Sequence, residues 1–184
     1  MKTLTFKTAF SYPFNRAKGM WNILWILLPI IGWFALGGYG IRIVKEFTKG
    51  KFKRLPVLSF KSDFKLGFVM FIKSLPFVIA YSIVLSLLDI SILWVEVPVR
   101  IFADLFILPI LFIHFFNRET VKSLFEFKIL KSIFTNIGDY IITLLKSILL
   151  GIIFLVMIIV LVGLPAGAFT QDMFLADFYR RRVK

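Results

Sequence analysis

Four long apolar stretches constrain this chain more than any other feature of its sequence. They run over Met20–Ile41, Gly67–Leu88, Ile101–Phe116 and Tyr140–Leu164, and a shorter one follows over Pro165–Tyr179. An α-helix rises about 1.5 Å per residue, so about 20 residues cross the roughly 30 Å of hydrocarbon in a bilayer. The four long stretches are close to that length and therefore predict membrane segments.

The same stretches favour helices over the strands of a membrane β-barrel. Barrel strands alternate apolar and polar residues over about 10 positions, whereas these stretches stay apolar for 16 to 25 residues. Hydrophobic residues make up 59% of the chain, above the roughly 45–50% of soluble domains. No linker rich in Ser, Gly or Pro divides the sequence. We predict an all-α integral membrane helical bundle of four to five segments, forming one domain over residues 1–184.

The basic residues fall on alternate connections. Arg42–Lys65 holds eight Lys and Arg residues, Asn117–Asp139 holds four, and the tail after Tyr179 holds four more. The connection between the second and third stretches holds only Arg100. By the positive-inside rule, we expect residues 42–65, residues 117–139 and the C-terminus to be cytoplasmic at the inner cell membrane. Leu93–Val97 is then expected outside.

The first apolar stretch does not fit this simple topology. The N-terminal tail is also basic, which predicts a cytoplasmic location, yet one full crossing by Met20–Ile41 would place the tail outside. Pro29 and Gly32 lie in the middle of the stretch. Pro removes a helical hydrogen bond and Gly permits a tight reversal. We favour a re-entrant hairpin over the alternative of a kinked but complete span.

The last apolar stretch is too short for a simple crossing. Pro165–Tyr179 covers roughly 20 Å as a helix, and it contains Asp172 and Asp177 before three arginines. We expect the tail to return to the cytoplasm. We also expect Asp172 to face protein or water.

The cytoplasmic connections are predicted to contain amphipathic helices at the membrane interface. Ser123 and Glu126 have the spacing of a capping box, in which the two side chains satisfy backbone donors at a helix start. The helix would carry an apolar face, formed by Leu124, Phe127, Leu130 and Phe134. Its basic face would carry Lys128 and Lys131. Phe60–Phe71 shows a similar mixture of Phe, Leu and Lys.

Few ionisable groups lie at membrane depth. Lys73 and Lys146 lie about two turns inside their segments, from where a long side chain can reach the headgroups. Asp104 could pair with Arg100, one turn earlier. His114 is the only histidine and has no second histidine or carboxylate at ligand spacing. We interpret these residues as structural; a transport site at Asp104 and a proton-relay or ligand role for His114 are the alternatives.

No motif of an active site is present. The sequence contains no HExxH, G-x-S-x-G, P-loop or GxGxxG motif and no cysteine. We therefore expect no enzyme and no catalytic, cofactor-binding or metal-binding residues. The glycines at positions 37, 38 and 40 follow no strand, so we expect them to let helices approach closely or to let the chain bend. The net charge of +13 lies beside apolar stretches, which predicts contact with anionic lipid headgroups and not with nucleic acid.

Several short motifs, taken in order, resemble domain-of-unknown-function family 4013. They are FSYPFN, GYGIRIVKEFTKGKFKRLP, the glycine at position 67, LFEFKILKSIFTNIGDYI and ADFYR. The resemblance covers nearly the whole chain and implies a small polytopic membrane protein of archaea or bacteria. It implies no activity and no site residues. The family often has acidic and Trp residues after the LP pair, whereas this chain has VLSFKSDF there.

Three functions follow as hypotheses. The first is a scaffold or accessory subunit of a membrane assembly, with protein partners or as a homo-oligomer. The second is a transporter or channel component, suggested by prolines within the segments and by a possible internal repeat. A lipid-active enzyme is disfavoured, because no nucleophile–base pair is evident. An open polar cavity would favour transport, and a closed bundle with a small-residue or aromatic face would favour the scaffold.

Overall fold

The computed structural model describes residues 3–91 and 96–183, which form helices and turns without a β-strand. The principal helices are α1 (Phe6–Ser11), α2 (Ile31–Phe47), α3 (Phe60–Ser91), α4 (Glu96–Phe102), α5 (Leu108–Arg118), α6 (Ile137–Val156), α7 (Gly163–Thr170) and α8 (Met173–Arg182). Shorter helical turns connect them; these are Phe14–Arg16, Ala17–Met20, Trp21–Leu27, Ala103–Ile107, Val121–Phe125, Phe127–Leu130, Lys131–Thr135 and Met157–Val160. Residues 93–95 of the segment that we expect outside lie beyond the described residues.

Three helical segments are long and apolar enough to cross a membrane. They are Phe60–Leu87, Val97–Arg118 and Ile137–Val160. Only 11% of the most apolar part of the first segment is buried, and only 17% of that of the third. So much outward-facing apolar surface is typical of contact with lipid. The all-helical class is confirmed, with three helices in the described residues long and apolar enough to cross a membrane and not the four to five predicted segments. The first and last apolar stretches form no single long helix.

The first apolar stretch reverses direction and forms the N-terminal hairpin, residues 21–47. Its first arm, Trp21–Leu27, is a 3₁₀-helix, and α2 is its second arm. Ile30 turns the chain with a φ of 66°, a backbone region that β-branched residues rarely adopt. Across the turn, Trp33 Nε1 donates a hydrogen bond to the carbonyl oxygen of Ile26 at 3.0 Å. The reversal that we predicted at this place is present.

Two hydrogen bonds place the chain before this hairpin beside the chain after it. Asn15 Nδ2 donates to the carbonyl oxygen of Lys53 at 2.8 Å, and Arg16 Nη1 donates to that of Leu55 at 3.1 Å. The chain therefore enters and leaves the N-terminal hairpin at one end of the bundle. The chain reversal expected from Pro29 and Gly32 thus returns the chain to the end from which it came.

The C-terminal hairpin, residues 137–182, packs α7 and α8 back along α6. Leu161 turns the chain with a φ of 59°. A Cβ at Gly163 would stand 1.9 Å from the carbonyl oxygen of Phe154, so only glycine allows this contact between the two arms. Arg181 Nη1 lies 2.7 Å from Asp139 Oδ2, at the start of α6. The tail thus returns to the end of the bundle at which α6 begins.

The helix α8 lies in the centre of the bundle. All of its side chains from Met173 to Tyr179 are buried. Phe174 stacks on Phe6 of α1, and Phe178 makes an edge contact with Tyr140 of α6. The terminal helix is therefore core and not a peripheral tail.

Glycines join α2 to α3. A Cβ at Gly38 would stand 1.8 Å from the carbonyl oxygen of Asp63, and one at Gly67 would stand 1.9 Å from that of Phe34. The two backbones are thus in direct contact, which small residues allow in membrane helices. This confirms the expected role of Gly38.

A proline explains the irregular turn between α4 and α5. Pro109 has no N–H to donate to the carbonyl oxygen of Leu105, four residues earlier. The chain forms a π-helical turn over Ala103–Ile107. Tyr140 Oη donates to the freed carbonyl oxygen of Leu105 at 2.6 Å. A side chain of α6 therefore replaces the missing backbone donor.

The predicted amphipathic helix beginning at Ser123 is wrong. Residues 121–135 form three short helical turns, with a break at Glu126. Ser123 Oγ donates to the carbonyl oxygen of Thr120 and caps no helix. Leu124 is buried whereas Phe127 is exposed, so no continuous apolar face exists. The second predicted interfacial helix, Phe60–Phe71, is the first part of α3.

Candidate functional site

His114 is buried at the centre of a hydrogen-bonded chain that runs from the partly exposed Glu126 to the buried Tyr179. Its Nε2 lies 2.9 Å from Glu126 Oε2, and its Nδ1 lies 2.6 Å from Tyr179 Oη. Because a carboxylate only accepts, Nε2 donates to Glu126, and Nδ1 shares the second hydrogen bond with the tyrosine hydroxyl. The hydrogen bond from His114 lowers the pKa of the Glu126 carboxyl. This contact also explains the helix break at Glu126, whose side chain is drawn away from a capping position.

The His114 chain joins three separate parts of the sequence. It connects α5, the 121–135 connection and α8. Three groups in series could pass a proton, but the series ends at Tyr179, which is buried in the core. The first role of these hydrogen bonds is therefore structural, because they hold α5, the 121–135 connection and α8 together.

Asp177 anchors a second buried polar cluster at the same end of the bundle. Its carboxylate accepts hydrogen bonds from Arg180 Nη2 at 2.6 Å, from Arg181 Nε at 2.9 Å and from the backbone N–H of Leu4 at 3.1 Å. Arg181 also reaches Asp139. The cluster ties the N-terminus, α6 and α8 together. It satisfies a carboxylate that would otherwise be buried without a partner.

Further ion pairs join α2 to its neighbours. Arg42 binds Asp63 of α3 through two hydrogen bonds of 2.6 and 2.8 Å, and Asp63 is fully buried. Lys45 pairs with Glu119, and Lys73 Nζ donates to the carbonyl oxygen of Glu119 at 2.7 Å. Lys73 is therefore held by protein at the end of α5, and not by lipid alone as we expected.

A basic hollow of about 610 Å³ lies beside the connection between α2 and α3. Five cationic side chains line it against one carboxylate, that of Glu46. The cations are Arg16, Arg42, Lys51, Lys53 and Arg54. Within residues 3–91 and 96–183, Lys51, Lys53 and Arg54 have no carboxylate partner. The hollow is therefore suited to an anion.

An apolar groove runs along α2 on another side. Its larger part has a volume of about 570 Å³ between α2, α3 and α5, with six aromatic side chains, namely Trp33, Phe34, Phe71, Phe112, Phe115 and Phe116. Its smaller part, of about 330 Å³, extends to the break between α7 and α8. Gly37 and Ile41 border both parts. No neighbouring atom lies within 4 Å of a Cβ built at Gly37, so the floor of the groove is open.

Asp172 lines the smaller part of the apolar groove. It immediately precedes α8 but makes no side-chain capping bond there. Its polar neighbour is the amide of Gln171, and no cation pairs with it among the described residues. The expectation that Asp172 faces protein is met, but in an unusual way, because the acid borders an apolar space.

The remaining predicted polar residues are separate from these sites. Asp104 lies 3.9 Å from Arg100, as expected, and accepts a hydrogen bond from Tyr81 Oη at 3.1 Å. Lys146 lies on α6 and has no recorded ion pair in the described parts of the chain. No group of three or more His, Cys, Asp or Glu residues in those parts could hold a metal ion.

Comparison with known proteins identifies the family of this chain. The family model described as "Protein of unknown function (DUF4013)" matches residues 22–163, from the N-terminal hairpin to the start of α7. The chain belongs to the DUF4013 family. Together with the three apolar helices, this membership indicates a membrane protein. Neither a curated protein nor a solved structure matches the DUF4013 chain significantly.

Sequence reasoning missed the central contacts of this DUF4013 protein. Tyr179 is 65 residues from His114 and Glu126 is 12 residues away, so neither stands at ligand spacing. The motif around Glu126 instead matched a capping box. The available signal was that a single histidine and Asp177 occur in apolar segments, where unpaired polar groups are costly.

Proposed function

We propose that this DUF4013 protein is a multi-pass protein of the cell membrane that acts as a scaffold or accessory subunit. The observation that carries the proposal is the apolar groove, whose open floor and aromatic walls suit a helix of another subunit. Small residues let helix backbones approach, and aromatic side chains supply packing area. No catalytic role is included in the proposal.

The orientation in this proposal follows from where the cations gather. The basic connections and the C-terminus face the cytoplasm, and the N-terminal hairpin enters the membrane from that side. In support, Leu4 contacts Asp177, and Arg180 lies over the ring of Phe52 at 5.5 Å. The N-terminal segment, the first basic connection and the tail are thus neighbours.

Cysteine labelling tests this orientation, because the chain has no cysteine of its own. Lys7→Cys and Lys51→Cys should both resist an impermeant maleimide in intact cells and react after permeabilisation. Val97→Cys, on the outer side, should react in intact cells. Labelling of Lys7→Cys from outside would instead support a complete first crossing.

The scaffold role is tested by a photo-reactive amino acid placed in the apolar groove. Phe71 lines the groove and is 49% exposed, whereas Ile83 lies on the same helix, is 54% exposed and lies outside the groove. In native membranes, a probe at Phe71 should form protein adducts, identified by mass spectrometry, and a probe at Ile83 should form lipid adducts. Lipid adducts alone at both positions would contradict the scaffold role.

The second candidate is a transporter or channel component. It is favoured by the two chain reversals, at Ile30 and Leu161, because transporters often place interrupted helices beside their sites. It is disfavoured by the apolar lining of the groove. Purified protein in vesicles that carries no ion or solute flux above protein-free vesicles would count against it.

The basic connections are also proposed to bind anionic lipid. The basic hollow would hold the phosphate of a headgroup in the cytoplasmic leaflet, where each cation contributes about 1 kcal/mol. The protein partner in the groove and the lipid in the hollow are separate contacts.

A further inference from the structure

Asp172 is a carboxylate without a cation in an apolar setting. It lies ten residues before Arg182, so α8 places it about 15 Å along the helix axis from the basic end. Apart from Gln171, the smaller part of the groove is lined by apolar side chains and the backbone of Gly37 and Gly40. No neighbouring atom lies within 4 Å of a Cβ built at either glycine. The site therefore has room for a further side chain.

The same chain carries a cation without an acid at nearly the same depth. The Asp139–Arg181 ion pair fixes a common level on α6 and α8. Lys146 is seven residues from Asp139, about 10 Å along α6, and Asp172 is nine residues from Arg181, about 14 Å along α8. No ion pair joins Lys146 to Asp172 within the chain. Lys146 is half-buried and lies at the edge of the outward-facing apolar surface of α6.

We infer that the apolar groove receives α6 of a second copy of this chain, whose Lys146 pairs with Asp172. This inference rests on the proposed scaffold function and names its partner. Charge complementarity and equal depth identify the occupant. The exposed residues around Lys146, namely Ile142, Leu145 and Leu149, supply the apolar face that the aromatic wall requires.

The electrostatics favour such a contact strongly. An isolated charge at membrane depth is costly, and intramembrane ionisable residues pair with one another. Among the described residues Asp172 has no cationic partner and Lys146 has no acidic partner, and the two lie at similar depths, so association brings opposite charges together. The desolvation cost of the pair is small, because both groups are already removed from bulk water.

The contact is heterologous, because Lys146 and the groove are different surfaces of the chain. Heterologous contacts close into rings or continue as chains of subunits. A C₂ dimer would need both surfaces on one face. The assembly is therefore expected to contain more than two copies.

Cysteine crosslinking between differently tagged copies tests the contact. Asp172→Cys in one copy and Lys146→Cys in the other should form a disulfide on mild oxidation in native membranes. Asp172→Cys with Leu155→Cys is the matched control, since Leu155 is also exposed on α6 but lies about 14 Å further along the helix. A chain with both Asp172→Cys and Lys146→Cys should form a ladder of oligomers.

Exchanging the charges of Asp172 and Lys146 is an independent test. It remains informative if one single variant folds poorly, because the double variant is expected to recover. Asp172→Lys and Lys146→Asp should each reduce co-purification of two tags by about tenfold or more, because the remaining charge is left buried and unpaired. The two changes together should restore co-purification. Absence of the disulfide in folded protein, with no recovery in the double variant, would overturn the inference.

The outcome is distinguishable from failure of the scaffold function. If the photo-reactive probe at Phe71 captures a different protein and the cysteine pair stays reduced, the scaffold function stands and this inference falls. If neither experiment yields a protein adduct, both fall.

Discussion

The two hairpins reverse the chain in similar ways but are held together differently. Ile30 and Leu161 both take positive φ at apolar, exposed tips. In the C-terminal hairpin the arms are joined by the Asp139–Arg181 ion pair, and α8 is buried along most of its length. In the N-terminal hairpin the arms are joined by uncharged contacts, namely the hydrogen bond from Trp33 to Ile26, a hydrogen bond between Asn22 and Tyr39, and the close approach of Gly32 to the Trp25 carbonyl oxygen. The C-terminal hairpin is thus the rigid centre, and the N-terminal hairpin leaves one side of α2 uncovered for a partner.

The largest effect is expected from breaking the ion pair of the C-terminal hairpin. Arg181→Gln leaves Asp177 and Asp139 short of a partner, and loss of one member of a buried pair costs about 3–5 kcal/mol. The Arg181 side chain is 10% exposed and that of Arg182, which also reaches Asp139, is 43% exposed. Arg182→Gln should cost less than about 1 kcal/mol. Thermal unfolding in detergent compares the two, and equal losses would contradict a rigid centre built on Arg181.

A smaller effect is expected where the N-terminal hairpin meets α3. Gly67→Ala places a Cβ against the carbonyl oxygen of Phe34, and overpacking of this kind costs about 1–3 kcal/mol. Gly37→Ala enters open space and should stabilise the helix by up to about 1 kcal/mol. The same unfolding assay measures both variants. Similar stability of the two would show that the helix contact is looser than described.

A pH effect is expected from the hydrogen bond between His114 and Glu126. The pKa of Glu126 is lowered in the folded protein, so its contribution to stability is present above the ordinary glutamate value of 4.5. That contribution is lost as the pH falls through the lower folded value, because protonation removes the acceptor for His114. Wild type should therefore lose its advantage over Glu126→Gln in melting temperature as the pH falls below about 4.5. A difference that is constant with pH would exclude this contact.

The smallest effect on folding is expected from the basic hollow. Replacing Lys49, Lys51, Lys53 and Arg54 together with Gln should leave unfolding nearly unchanged, since exposed charges contribute little to stability. Association with anionic lipid should fall, because each cation near the leaflet contributes about 1 kcal/mol. Lipid extraction after purification in mild detergent measures this. Unchanged anionic lipid in a correctly inserted variant would assign the hollow to a protein partner.

The sequence predicted those features that depend on local composition. Apolar runs predicted four to five membrane segments, of which three are helices long and apolar enough to cross a membrane, and Pro29 with Gly32 predicted the reversal of the first stretch. It failed at the 121–135 connection, where a capping-box spacing is physically sound but a distant histidine competes for Glu126. It also missed Asp177 as the anchor of the core, because one of its partners is the backbone N–H of Leu4, 173 residues away, and because Arg181, which binds it from the same helix, also reaches Asp139 of α6. Contacts between distant segments cannot be derived from spacing alone.

The proline in the second span has a consequence for how the protein is built in the membrane. A polar backbone group without a partner is costly in lipid, and the carbonyl oxygen of Leu105, beside this proline, accepts a hydrogen bond from Tyr140. The second span therefore lacks this hydrogen bond until α6 has been synthesised. It reaches its final state when α6, synthesised later, inserts beside it. Final folding of the second span thus depends on synthesis of the C-terminal hairpin. A ribosome stalled before Tyr140 leaves the second span without the hydrogen bond that Tyr140 donates to Leu105.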